Sequence, residues 1–335
     1  MHMGNELLTL PTAGALAAGA AGGLSWASAR ARRTLDERRA PLLGILGAFV
    51  FAAQMVNFPV LPGTSGHFLG AALLAILLGP HAAALGMASI VIVQCLLFQD
   101  GGLLALGANL LNMALAAPYA AWAAFRALLP PGTAPGRARL GAAAFAAALA
   151  SVLAAATLVP LEVAAAGVAR IPLPVFLGTM AAVHAVIGLA EGIFTVAVLA
   201  FLARLRPDLL PGPDAGEKGL PGKAAALGLG AAALLVAGLL SLASSDAPDG
   251  LEATVERTGA LRGTAENPAA TVVGRVQERV ALLPDYSRPG GGRYWTAVSG
   301  ILGCLLVLGL ASAARRALAG RKGPPSPDPP CTTTR

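Results

Sequence analysis

The chain has 335 residues, 56% hydrophobic and 12% charged, with a mean hydropathy of +0.70 and a formal net charge of +7. That charged fraction is about half the soluble-protein average, and several apolar runs approach ~18 residues, which excludes a soluble domain and predicts an all-α, polytopic helical membrane protein. The positive balance does not imply nucleic acid as a partner, because Lys and Arg gather in the cytoplasmic loops of membrane proteins. Cys95 and Cys304 lie in apolar runs and Cys331 in a polar tail, so neither a disulfide framework nor a Cys-x-x-Cys metal site is available.

The first apolar run, 7–29, follows Met1-His2-Met3-Gly4-Asn5-Glu6 with no positive side chain before it. Arg30, Arg32, Arg33, Arg38 and Arg39 come afterwards. A secretory leader carries its charges first, so the order predicts an N-terminus that stays on the mature chain. Its α-amine, the amide nitrogen of His2 and the His2 imidazole can close fused chelate rings around one ion. A fourth nitrogen would complete the planar set that Ni(II) and Cu(II) favour.

A second run spans 41–58, followed by a glycine-containing loop, 59–67, that ends at His67. Residues 68–98 form either one kinked helix or two short ones broken at Gly79-Pro80-His81. Further runs cover 103–125, 140–160 and 175–203, then 224–243 and 296–313 on either side of a polar stretch, 244–295. Breaking 68–98 in two gives nine spans, with 17 Lys/Arg on the cytoplasmic side and 7 outside; a single kinked helix gives 12 and 12. The positive-inside rule therefore selects seven spans in an N-terminal core plus two in a C-terminal module. The N-terminus then faces outside and the C-terminus the cytoplasm. The piece 68–79 would be only about 18 Å long against a ~30 Å hydrocarbon core, so it is expected to be shielded by protein or re-entrant.

This topology places His67 on the same side as His2, as a candidate for the fourth nitrogen. Gly63 and Gly66 let the loop fold inward, and Thr64 and Ser65 are expected to orient the imidazole. His184 and Glu191 are seven residues apart and share one helix face, either as contacts between spans or as part of a metal path. Asp100, in Asp100-Gly101-Gly102, reads as a tight turn with a helix cap, or as a carboxylate near a metal entrance. Asn57 and Gln94 are candidates for hydrogen bonds that hold the metal loop, and His81 reads as a solvated cap. Gly44, Ala48 and Ala52 form a small-residue stripe that allows close helix approach, as do Gly14, Ala18 and Gly22. No Gly-x-x-x-x-Gly-Lys-Ser/Thr loop occurs, so any ATP hydrolysis must reside on another chain.

Several of these segments carry a resemblance. Met1-His2, Leu35-Asp36-Glu37-Arg38, the run from Gly47 to Phe58, Gly63-Thr64-Ser65-Gly66-His67, Ala75-Ile76-Leu77-Leu78-Gly79-Pro80 and Asp100 to Asn109 resemble the CbiM/NikM family. These are the membrane substrate-binding components of nickel/cobalt energy-coupling-factor transporters. His184 to Glu191 and Arg206-Pro207-Asp208-Leu209-Leu210 extend the likeness over 1–210. Pro248-Asp249-Gly250-Leu251-Glu252 spells the motif of the PDGLE domain, which assigns 211–335 to a module of two spans around an extracytoplasmic loop. The resemblance implies a transported Ni(II) or Co(II) held by Met1, by the amide and imidazole of His2, and by His67. It also implies a coupling membrane subunit docking on a stripe such as Gly44-Ala48-Ala52, partner ATP-binding cassette ATPases, and a PDGLE domain that helps load the N-terminal segment. Many relatives have an acidic residue at position four or five, where this chain has Gly4 and Asn5. The alternative from another class is an intramembrane metalloenzyme using His67, His184 and Glu191. Its metal would need an open coordination position, which four planar nitrogens do not leave.

Overall fold

A computed structural model describes residues 1–34, 40–132, 135–168, 170–210, 222–259, 261, 267–288 and 290–319. The whole Leu35–Arg38 motif, Arg39, the boundary at 211–221 and Cys331 lie outside the described residues. Every apolar run predicted from the sequence is helical. In order these are α1 (Leu10–Thr34), α2 (Ala40–Gln54), α3 (Ala71–Leu78) and α4 (Pro80–Phe98). Next comes a continuous helical segment of α5 (Leu106–Asn109), a wide π-type stretch (Leu110–Ala116) and α6 (Ala117–Leu128). Then follow α7 (Arg137–Ala166), α8 (Leu173–Leu205), α9 (Gly222–Gly238) and α12 (Tyr294–Ala319). Among the described residues, four helices are long and apolar enough by themselves to cross a bilayer, at Pro80–Phe98, Arg137–Ala166, Leu173–Leu205 and Tyr294–Ala313. The chain is a helical membrane protein.

The ambiguous piece is two helices. Gly79 takes φ +82°, a conformation L side chains rarely adopt, and Pro80 opens α4 at a position where its missing N–H costs nothing. All eight residues of α3 are buried, so its shortness is compensated by surrounding protein. Where a bare loop was expected after α2, residues 58–66 pair as an antiparallel hairpin, β1 (Phe58–Leu61) and β2 (Thr64–Gly66), turning at Gly63. The polar stretch is also folded. It forms α10 (Gly250–Thr258), which packs on α8 and β2, and α11 (Pro268–Val280), which packs on α4 and the N-terminal segment.

The C-terminal module is seated on α2. Gly303 lies where any side chain would collide with the Phe51 ring, Gly44 faces Leu308, and Cys304 Sγ donates to the Ala48 carbonyl at 3.4 Å. Ala48 and Ala52 are buried. The stripe Gly44-Ala48-Ala52, expected to receive a coupling subunit, is therefore covered by the chain's own α12. The other stripe, Gly14-Ala18-Gly22 on α1, lies exposed.

Candidate metal centre

The first eight residues do not lie on the surface. Met1, His2, Met3, Leu7 and Leu8 are buried, and the arm they form is clamped by backbone recognition. Met3 N–H donates to Asn109 Oδ1 at 2.8 Å, while Gly102 N–H and Asn109 Nδ2 donate to the Met3 carbonyl at 2.8 and 3.2 Å. Asn5 Oδ1 accepts from Leu104 N–H at 2.7 Å, and Asn267 Nδ2 reaches the Leu8 carbonyl at 2.7 Å. A Cβ at Gly102 would collide with the backbone of Asn5. The two glycines after Asp100 thus exist to let the arm pass. The expected helix cap at Asp100 is not formed; its carboxylate turns to the arm instead.

His2 is held between two acceptors. Its Nδ1–H faces Asp100 Oδ1 at 2.9 Å and its Nε2–H faces Gln94 Oε1 at 3.1 Å. Gln94 is itself oriented by Gln54 (2.7 Å), and Gln54 by the Leu69 carbonyl (2.7 Å). Tyr286, from the C-terminal module, donates to the other Asp100 oxygen at 2.5 Å. Burial opposes ionisation of Asp100, but the His2 charge and hydrogen bond, His67 and Tyr286 outweigh it and hold the carboxyl well below its usual range.

His67 stacks on His2 with ring centroids 5.3 Å apart and an interplanar angle of 22°. Its Nδ1–H donates to the Phe68 carbonyl at 2.9 Å, which leaves Nε2 as a lone pair; that atom is buried and has no partner. Desolvation, then the N-terminal ammonium and His2, push its pKa down from 6.5 to about 4. The imidazole is therefore neutral at physiological pH, the state a metal ligand requires. Ser65 does not orient it. Its N–H and Oγ bond the Pro248 and Ala247 carbonyls at 2.8 and 2.6 Å, and Thr64 Oγ1 has no partner. Asn57 likewise serves the C-terminal module, its backbone N–H and C=O engaging Ser244 Oγ and Ser245 N–H.

The third face belongs to the motif Pro248-Asp249-Gly250. Asp249 Oδ1 caps α10 by accepting Leu251 N–H (2.8 Å) and Glu252 N–H (2.9 Å), while its Oδ2 forms an ion pair with the Met1 ammonium. Among the residues that sequence reasoning missed, Asp249, Asn109 and Tyr286 stand foremost. The PDGLE motif marked Asp249 as special, but no local signal paired it with Met1.

His184 and Glu191 do not bond each other. Glu191 accepts the Leu69 and Gly70 N–H groups at 2.9 and 2.7 Å and so fixes the backbone just after His67. His184 donates Nδ1–H to Met180 O at 2.9 Å, and its buried, unpartnered Nε2 lies beside Gly250. His81 is not a solvated cap: it bonds Tyr119 at 2.7 Å and packs edge-on against Trp26.

His2 and His67 line a cavity of about 890 Å³ together with Glu6, Asp246, Asp285 and Arg293. Among the described residues, no three His, Cys, Asp or Glu side chains converge in a geometry that could hold a metal ion. What the site brings together is the stacked imidazoles of His2 and His67 beside the buried chain end.

Comparison with known proteins gives concordant results. The profile of the CbiM family, described as the cobalt uptake substrate-specific transmembrane region, matches residues 2–209, and that of the PDGLE domain matches 223–320. A protein of Archaeoglobus fulgidus provisionally named a fused nickel transport protein NikMN is 38% identical over 285 residues, covering 85% of this chain and 88% of the relative. The fused nickel transport protein NikMN of Rhodobacter capsulatus is 35% identical, covering 87% of this chain and 91% of the relative. A crystal structure titled as a transition metal transporter superposes with TM-score 0.52 at 30% identity, covering 62% of this chain and 94% of that one.

Proposed function

The chain belongs to the CbiM family of substrate-specific membrane components, joined to a PDGLE domain, and we propose that it captures Ni(II) or Co(II) from outside the cell. It is a component of metal uptake and not an enzyme. The donors are the Met1 amine, the His2 amide nitrogen, His2 Nδ1 and His67 Nε2, and the ion is the cargo.

One observation carries this reading: a buried chain end brings His2 onto His67, whose Nε2 is a neutral lone pair without a partner. In the metal-free arrangement two of the proposed donors hold protons against carboxylates, the amine on Asp249 and Nδ1 on Asp100. Metal capture must displace those protons and the amide proton of His2, so affinity falls as pH falls. Four planar nitrogens lean toward nickel, while the Irving–Williams order would favour copper, so metal supply must also select the cargo. The acidic cavity at the site raises the local concentration of cations.

Energy comes from partner subunits, a coupling membrane protein and ATP-binding cassette ATPases, since the chain has no phosphate-binding loop. The metalloenzyme alternative loses its carboxylate, because Glu191 is committed to two backbone N–H groups. Titration of purified His67→Ala with Ni(II) and Co(II) tests the donor set. Loss of tight binding with the helical fold intact is expected, and wild-type affinity would exclude His67. Uptake of each ion by cells carrying the complete complex decides between the metals.

A further inference from the structure

Asp249 and Met1 are 248 positions apart, yet the Met1 amine and the Asp249 carboxylate meet in a largely buried contact, the Met1 side chain 4% exposed and the Asp249 side chain 16%. The rest of the arm is held from both sides: Asn109 and Gly102 bond Met3 and Leu104 bonds Asn5 from the N-terminal core, while Gln277 bonds Asn5 and Asn267 bonds Leu8 from the C-terminal domain. The charged end itself is met by a side chain of the C-terminal domain. Asp249 is fixed from two sides. Its own α10 cap commits Oδ1, and the preceding carbonyls of Ala247 and Pro248 are pinned to Ser65 of the hairpin that leads to His67. Only Oδ2 remains for the amine.

An ammonium buried beside His2 and His67 with no counter-charge would be driven back to water, and chain ends fray unless tied down. We propose that Asp249 is the positioning residue that anchors the free end of the chain inside the site while no metal is bound. In this way the C-terminal domain keeps the chelating arm assembled for an incoming divalent cation, without being a ligand itself. The purpose assigned to the anchor rests on the metal-capture reading; the anchor's existence does not.

The cap chemistry supplies a clean substitution. Asn caps a helix about as well as Asp, so Asp249→Asn preserves the start of α10 while removing the charge. The full-length protein, stripped of metal with a chelator and with a free Met1 amine verified by intact mass, is treated with a small amine-reactive ester. Acylation of Met1 is followed by mass spectrometry of the N-terminal peptide, with the chain's lysines as internal reference. The wild-type amine should react slowly, and Asp249→Asn should react at least about tenfold faster, a conservative share of the shift expected from breaking a largely buried charge pair. Asp249→Glu keeps the charge and should retain part of the protection, which guards against reading a folding defect as a lost anchor. Equal acylation of wild type and Asp249→Asn overturns the proposal, as does Asp249→Glu reacting as fast as Asn. The assay needs no metal. Protection by Asp249 in a protein that binds no nickel would sink the functional reading alone, and nickel binding with an unprotected amine would sink the anchor alone.

Discussion

Inserting one bulky residue, such as Leu, between Met1 and His2 tests the chain-end chelate most directly; a bulky residue also keeps Met1 from being removed. Both imidazoles and all helices remain. The arm cannot absorb the extra residue downstream, because Met3 and Asn5 are bonded to Asn109, Gly102 and Leu104. The amine must then move by about 3.8 Å, the spacing of consecutive Cα atoms, against a metal–nitrogen bond of ~2 Å. It leaves Asp249 as well. Breaking a fully buried pair costs about 3–5 kcal/mol, and the residual exposure of Asp249 reduces this to roughly 2 kcal/mol of metal-free stability. Loss of supporting residues around a metal typically costs 10–100-fold in affinity, so loss of a ligand should exceed about 100-fold, or ~2.7 kcal/mol. Isothermal titration with Ni(II) and metal content after purification, beside the untouched protein, measure the effect. Unchanged occupancy would refute the chelate, since no site built from His67 and His184 side chains depends on that spacing.

Other perturbations separate the remaining contributions. Tyr286→Phe removes the 2.5 Å hydrogen bond to Asp100 and should weaken nickel binding about tenfold without unfolding the chain, read by the same titration. Glu191→Ala leaves the Leu69 and Gly70 N–H groups buried and unpaired at about 1–3 kcal/mol each, so the metal-free melting temperature should fall by several degrees. His184→Ala should leave the spectrum of bound nickel unchanged, and disappearance of that spectrum in a folded protein would make His184 a ligand. The pH dependence follows from His67, whose folded pKa of about 4, lowered chiefly by burial, lies below its ordinary value of 6.5. Between these values the unfolded chain takes up a proton that the folded one refuses, so metal-free stability should decline as pH falls through that window and level off below it. The decline should reach about 2 kcal/mol, discounted for a partly exposed ring, and His67→Ala should flatten it in denaturant titrations at stepped pH.

Membrane class, helix positions and the break at Gly79-Pro80 were legible along the chain because each depends on neighbours in sequence. Apolar length specifies a helix in lipid, and a glycine followed by a proline ends one wherever it falls. The pairing of His2 with His67 was legible too, but only through topology: charge asymmetry put both on one side, and the chelating pattern needed just two adjacent residues. The roles of Ser65, Asp100, Glu191 and Gly44-Ala48-Ala52 were not legible. Each is a small or polar residue whose local pattern fits several partners, and the partner that took it comes from far along the chain. Ser65 went to Ala247 and Pro248, Asp100 to His2 and Tyr286, and the stripe to α12.

Sequence alone determined which segments must be buried as helices. Tertiary structure decided which charge faces which. The Met1 ammonium and Asp249 are 248 positions apart in sequence, and nothing local to either announces the other. Their encounter follows from the packing of α9 and α12 on α2, which brings the capped start of α10 over the arm. A hydrogen bond or ion pair acts over a few ångströms and carries no trace in sequence periodicity, so only the folded arrangement of helices could select it.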